Sequence, residues 1–218
     1  MKNILKNSII IVLLLIFQSC VIGRKMSFEK KQVTTDYPIT KSLAIGFQEN
    51  RYEVLSGQQK PSFCGKMMST AQIGYNMQTE SGKALMEEFT SSVAHSLQQR
   101  GVIASELPTG WTMNTDSLIN LFQQGDKERL VLFTVNKWES LGQPLFSSIR
   151  YEVNYNIDLI IYDRSGRPLV SKNTHDHIKE EKSDIATNLK YLQKMSDDVF
   201  ESQMKALLNN PDVKDKLQ

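Results

Sequence analysis

Between residues 151 and 162 apolar and polar side chains alternate, with Tyr151, Val153, Tyr155, Ile157, Leu159 and Ile161 set against Glu152, Asn154, Asn156 and Asp158. A period of two is that of a β-strand with one buried and one wet face. Residues 129–138 break the alternation: Leu130 and Leu132 on one parity and Val131, Phe133 and Val135 on the other are all apolar. That pattern predicts a central strand covered on both faces. Asp163-Arg164-Ser165-Gly166 reads as a turn, and residues 168–178 return as the partner strand of a long hairpin. The return strand carries Lys172, Asn173, Thr174, His175, Asp176 and His177, a polar set suited to a sheet edge. Leu43, Ile45 and Phe47, alternating with the small Ala44 and Gly46, predict a further strand at 42–47, and 102–105 predicts a short one.

Elsewhere the period lengthens to that of a helix. Leu85, Phe89, Val93 and Leu97 recur every fourth position through 80–100, Met86 and Ala94 widen the stripe, and Gly101 stops it. Leu118, Leu121 and Phe122 mark a shorter helix at 115–124. Ile185, Leu189, Leu192, Val199, Phe200, Met204 and Leu207 mark a long one at 184–208, ended by Asn209-Asn210-Pro211. The order predicts an α/β (α+β) fold: a mixed sheet of about five strands with a long antiparallel hairpin, packed by two long helices and one short helix.

Two stretches lack periodicity. Residues 21–41 read as a flexible tether, rich in Gly, Ser, Thr and Lys. Residues 48–78 read as a long loop, and loops of that length inside a compact domain are usually functional. It carries Tyr52, Phe63, Met67, Met68, Tyr75 and Met77. Tyrosines anchor contacts and methionines adapt to irregular surfaces, so these six are the candidate partner-binding residues. The rival reading is that they fold back and roof the core.

The amino terminus has another logic. Lys2 and Lys6 precede an apolar run from Ile9 to Phe17, then Gln18-Ser19-Cys20. The run is about half the ~20 residues of a membrane-spanning helix, which is the size of a signal-peptide core. Phe17-Gln18-Ser19-Cys20 resembles the lipobox of bacterial lipoproteins, with Phe17 where that family usually has Leu. The resemblance implies that residues 1–19 are removed, that Cys20 is acylated and holds the chain to a lipid bilayer, and that a tether over 20–41 leads to one globular domain over 42–218. It also implies a place in the cell envelope facing the periplasm, and Val21 after the cysteine implies sorting to the outer membrane.

Composition narrows the choice further. Aliphatic and aromatic residues make up 40% of the chain and charged ones 23%, ordinary for a globular protein. The formal charge of +2 is contributed by Lys2 and Lys6, so the mature chain is near neutral and nucleic acid is not an expected partner. With Cys20 acylated, Cys64 has no disulfide partner in the chain and is expected to be buried and inert.

Candidate chemistry is sparse. Ser81-Gly82-Lys83 fails as a phosphate loop because Gly74 stands too far ahead and Ala84 replaces the hydroxyl residue. His175 and His177, two apart on a strand, project from one face and begin a metal site that requires a third ligand. No nucleophile elbow, paired-Cys motif or HExxH is present, and no cofactor is implied. The chain resembles small α/β envelope lipoproteins of the curli-secretion and cell-wall-synthase-activator type. Thr79-Glu80-Ser81-Gly82-Lys83-Ala84-Leu85 is similar to a segment of uncharacterised proteobacterial lipoproteins. These resemblances imply a non-enzymatic binding or assembly module, with a protein partner or another copy of itself. The alternative is a small-ligand or metal-binding protein using His175 and His177.

Overall fold

The computed structural model describes residues 25–29, 31–108, 110, 112–183 and 188–218. The signal-like segment, Cys20 and Val21 lie outside the described residues, as does the expected start of the last long helix. Among the described residues one mixed sheet holds eight strands. They are β1 (Lys25–Met26), β2 (Leu43–Glu49), β3 (Phe63–Met68), β4 (Gly74–Thr79), β5 (Ala104–Glu106), β6 (Arg129–Pro144), β7 (Ile149–Asp163) and β8 (Pro168–Lys182). The helices are α1 (Tyr52–Leu55), α2 (Leu85–Gln99), α3 (Thr115–Gln124), α4 (Leu189–Leu208) and α5 (Pro211–Leu217). The α+β class stands as expected, with more strands than the five read from the pattern.

Strand β6 is the spine. One edge pairs with β7 antiparallel along its length. The other edge pairs parallel with β2 from Arg129 to Val135, then parallel with β3 from Ser140 to Gly142. A bulge between Val135 and Lys137 shifts the alternation by one, so that Val131, Phe133 and Val135 before it and Trp138 after it all enter one core. Helices α2, α4 and α5 cover that face, where Phe47 stacks on Phe133 at 4.5 Å and Phe89 on Phe200 at 4.3 Å. On the opposite face α3 brings Leu118 and Phe122 against Ala44, Leu130, Leu132 and Tyr162. Two covers at one end of β6 are the reason both parities are apolar there.

The expected tether is, from Lys25 onward, part of the fold. Met26, Phe28, Val33 and Tyr37 are buried, and Phe28 makes edge contacts with Phe89 and Trp138. The backbone of this strap is bonded by helix side chains. Gln193 accepts from Ser27 N–H and donates to its carbonyl, Glu88 accepts from Phe28 N–H at 2.8 Å, and Ser92 and Ser96 accept from Lys31 and Val33. Asn209 accepts from Asp36 N–H and donates to the Thr34 carbonyl. Periodicity could not show this segment, because its polar groups find partners in side chains of distant helices and not in a repeating ladder.

The expected loop over 48–78 is likewise structured, as α1, β3 and β4. The hairpin of β3 and β4 pairs Met68 with Gly74 and Phe63 with Gln78, with a bulge between Phe63 and Gly65. Its glycines and polar residues hide the alternation that would have announced it.

Candidate binding surface

The six residues expected to face a partner separate into three groups. Phe63 and Met77 are buried, which removes them from any surface and corrects their assignment. Met67, Met68 and Tyr75 are half-buried, with Met67 packed on the main core, as the roof reading would have it. Tyr52 alone of the six is strongly exposed, at 73%, and Leu55 beside it on α1 is 47% exposed.

The short helix stands on a rigid footing. Arg51 is wholly buried, and its guanidinium donates from Nε and Nη2 to the two Glu49 oxygens at 2.8 and 2.6 Å and from Nη1 to the Phe63 carbonyl at 2.7 Å. The Arg51 carbonyl accepts from Leu55 N–H at 3.0 Å. A buried, bidentate pair of this kind fixes position more than it adds stability. Val54 is turned inward, which leaves Tyr52 and Leu55 on the outside.

Past the β6 bulge, the sheet face opposite α2 and α4 is polar. Asn173 donates to Asn156 and Asp158, Asn136 donates to Asp158, and Lys66 pairs with Glu139 at 3.4 Å. Both expected histidines lie here, exposed on β8. His177 Nε2 sits 2.5 Å from Glu152 Oε2, and His175 Nδ1 sits 2.8 Å from Asn173 Oδ1. Among the described residues no three His, Cys, Asp or Glu are gathered to hold a metal. Among the described residues the His177 ring is paired with the Glu152 carboxylate, which is itself shared with Arg150 at 3.8 Å.

Cys64 is buried, and burial pushes its thiol up to about 12, with Glu88 adding to the rise and Arg51 opposing it. A thiol so held forms almost no thiolate at neutral pH and is a poor nucleophile. Ser81 and Lys83 also have structural employment: Ser81 Oγ donates to Glu88 Oε1 at 2.6 Å, and Lys83 Nζ pairs with Glu29 at 2.8 Å.

The sequence reading passed over Leu55 and the turn at 145–148, where Phe146 is fully exposed. A Leu-Phe pair in a turn was the available signal for the latter.

No protein-family model matches this chain, and no curated protein matches it by sequence. Among solved structures, the chain is similar to XCC0632 from Xanthomonas campestris, a protein of the DUF330 family. The TM-score is 0.52 at 9% identity, with 86% of this chain and 95% of that chain covered. Lipoprotein GNA1162 from Neisseria meningitidis is a looser likeness, with a TM-score of 0.30 at 14% identity over 75% of this chain and 97% of that one. At such identity the similarity to XCC0632 is one of fold. No helix among the described residues is long and apolar enough to cross a membrane.

Proposed function

We propose that this chain is a lipid-anchored, non-enzymatic module of the bacterial cell envelope, held through acylated Cys20 at the outer membrane and facing the periplasm, where it binds another protein or a further copy of itself. The observation that carries this reading is the strap. From Lys25 onward the chain is bonded into the domain, so only residues 21–24 separate the candidate acylation site from a rigid body. An anchor so close to a preformed surface suits a protein that presents contacts at a fixed height above a bilayer. Stable anchoring requires two or more acyl chains, which is what a processed lipobox cysteine carries. The presented contact is the outer side of α1, where Tyr52 and Leu55 stand on the Glu49 and Arg51 pair.

Two measurements test it. Labelled palmitate should enter the wild-type protein and not Cys20→Ala; equal incorporation rules out the anchor. A photoreactive side chain in place of Tyr52 should capture a partner or a second copy in cells, and one in place of Lys137, exposed on the polar sheet face, should not. Capture from Lys137 with none from Tyr52 would move the contact to the sheet.

A further inference from the structure

Two hairpin tips close the same end of the sheet, and each presents an apolar residue to solvent. Met67 is level with Gly142 across β3 and β6, so the β3–β4 turn and the β6–β7 turn lie side by side. They are tied together: Gln72 Nε2 donates to the Pro144 carbonyl at 3.1 Å, and Gln143 Nε2 donates to Gln72 Oε1 at 3.2 Å. Leu145 N–H bonds to the Ser148 carbonyl at 2.8 Å, which closes the second turn with Phe146 outside it, fully exposed. Ile73, 56% exposed, occupies the first. Neither side chain assists the core, and adjacent exposed apolar groups on well-formed turns mark a contact surface.

The direction of the strap says what the contact is. Strand β1 runs parallel to β4 with Lys25 level with Gln78, so the line of β1 taken backward from Lys25 points toward Gly74, the end that carries the two tips. From Gln78 back to Ile73, the residue just before β4, is five residues, about 17 Å if extended. From Lys25 back to Cys20 is also five residues, at most about 18 Å in any conformation. Five residues of chain are therefore long enough to bring acyl chains on Cys20 level with Ile73 and with the turn that carries Phe146 beside it.

We infer that Phe146 and Ile73 enter the interfacial layer of the bilayer in which the lipid on Cys20 is embedded, and so fix the tilt of the domain. This rests on the anchored reading of Cys20. An aromatic and a β-branched residue on two rigid turns, with a lipid as third contact, define a plane where a single lipid on a leash would leave the domain free to roll.

The test uses the full chain reconstituted in vesicles of phosphatidylethanolamine and phosphatidylglycerol. An environment-sensitive fluorophore is placed on Phe146→Cys, Ile73→Cys or Ile103→Cys. Ile103 is 68% exposed but precedes β5, which pairs with the start of β2 at the far end of the sheet. Buried Cys64 is poorly placed to react, and wild type measures the background. The expected result is a blue shift at 146 and 73, with quenching by lipids spin-labelled in the acyl chain, and neither at 103. Emission at 146 and 73 indistinguishable from 103 overturns the insertion. The mass of the amino-terminal peptide reports acylation separately. Acylated Cys20 with probes in water keeps the anchor and ends the insertion; unmodified Cys20 with embedded probes does the reverse.

Discussion

Gly65 sets how near β3 can come to β6. A Cβ there would stand 2.1 Å from the Ser140 carbonyl oxygen and 2.8 Å from its carbon and nitrogen, all backbone atoms that cannot turn aside as a side chain would. Gly65→Ala is expected to force the two strands apart and to cost at least the ~1–3 kcal/mol of an overpacked core, read as a lower urea midpoint. Arg51 presents the opposite problem, a charge that must not lose its partner. Arg51→Met would leave the Glu49 carboxylate buried and unpaired, at roughly 3–5 kcal/mol, whereas adding Glu49→Leu to it should recover much of the loss. Thermal melts of the single and double variants distinguish this from simple loss of packing, in which the double variant would be the worse. Asp163 governs the turn into β8. Hydrogen bonding from Ser165, with Arg167 assisting, lowers its carboxyl from 3.8 to about 2. Because the folded value is the depressed one, its contribution is complete above about pH 4 and disappears as pH falls through 2. Stability measured from pH 5 to pH 2 should therefore fall more steeply in wild type than in Asp163→Asn; parallel curves would show that the turn does not depend on this charge.

Among the elements, the strap distinguishes a domain from a domain with a leader. Phe28 lies against Phe89 and Trp138 with ring centroids at 5.1 and 5.8 Å, so Phe28→Ala should cost about 3–5 kcal/mol, where the same change in a free tether would cost nothing. Urea denaturation of the two proteins settles which it is. The elements legible in the sequence were those whose partners repeat: α2 and α4 by their fourfold stripe, β7 by its alternation, and β6 by apolar residues on both parities beneath two covers. Elements held by single contacts were not legible. The strap depends on Gln193, Glu88, Ser96 and Asn209, far away in the chain, and β3 and β4 are interrupted by Gly65, Gly74, Lys66 and Asn76. The candidate surface was legible to the same degree. Aromatic and Met content singles out residues 48–78, but composition does not tell which side of a strand a residue occupies, and Phe63 and Met77, expected outside, are inside. Phe146 sits in a turn shorter than any periodic window.

At the scale of the whole molecule, residues 27–40 are bonded to residues 193–217, far along the chain. Ser27 bonds to Gln193 and Lys31 to Asp197, each 166 positions on, and Asp36 bonds to Asn209, 173 positions on. Thr40 N–H reaches the carbonyl of Leu217 at 3.1 Å. Contacts of such separation form late, because the loop between them must first be closed. This has a consequence for how the protein is made. During synthesis residues 27–36 are made well before Gln193, Asp197 and Asn209, so until α4 follows the strap has only its α2 partners Glu88, Ser92 and Ser96. A chain ending at Ser183 should leave residues 25–41 open to protease in limited digestion, while the chain of 218 residues protects them. Equal protection in both would show that the sheet alone retains the strap. Helices α4 and α5 thus act as a latch, and the strap locks only once they are in place.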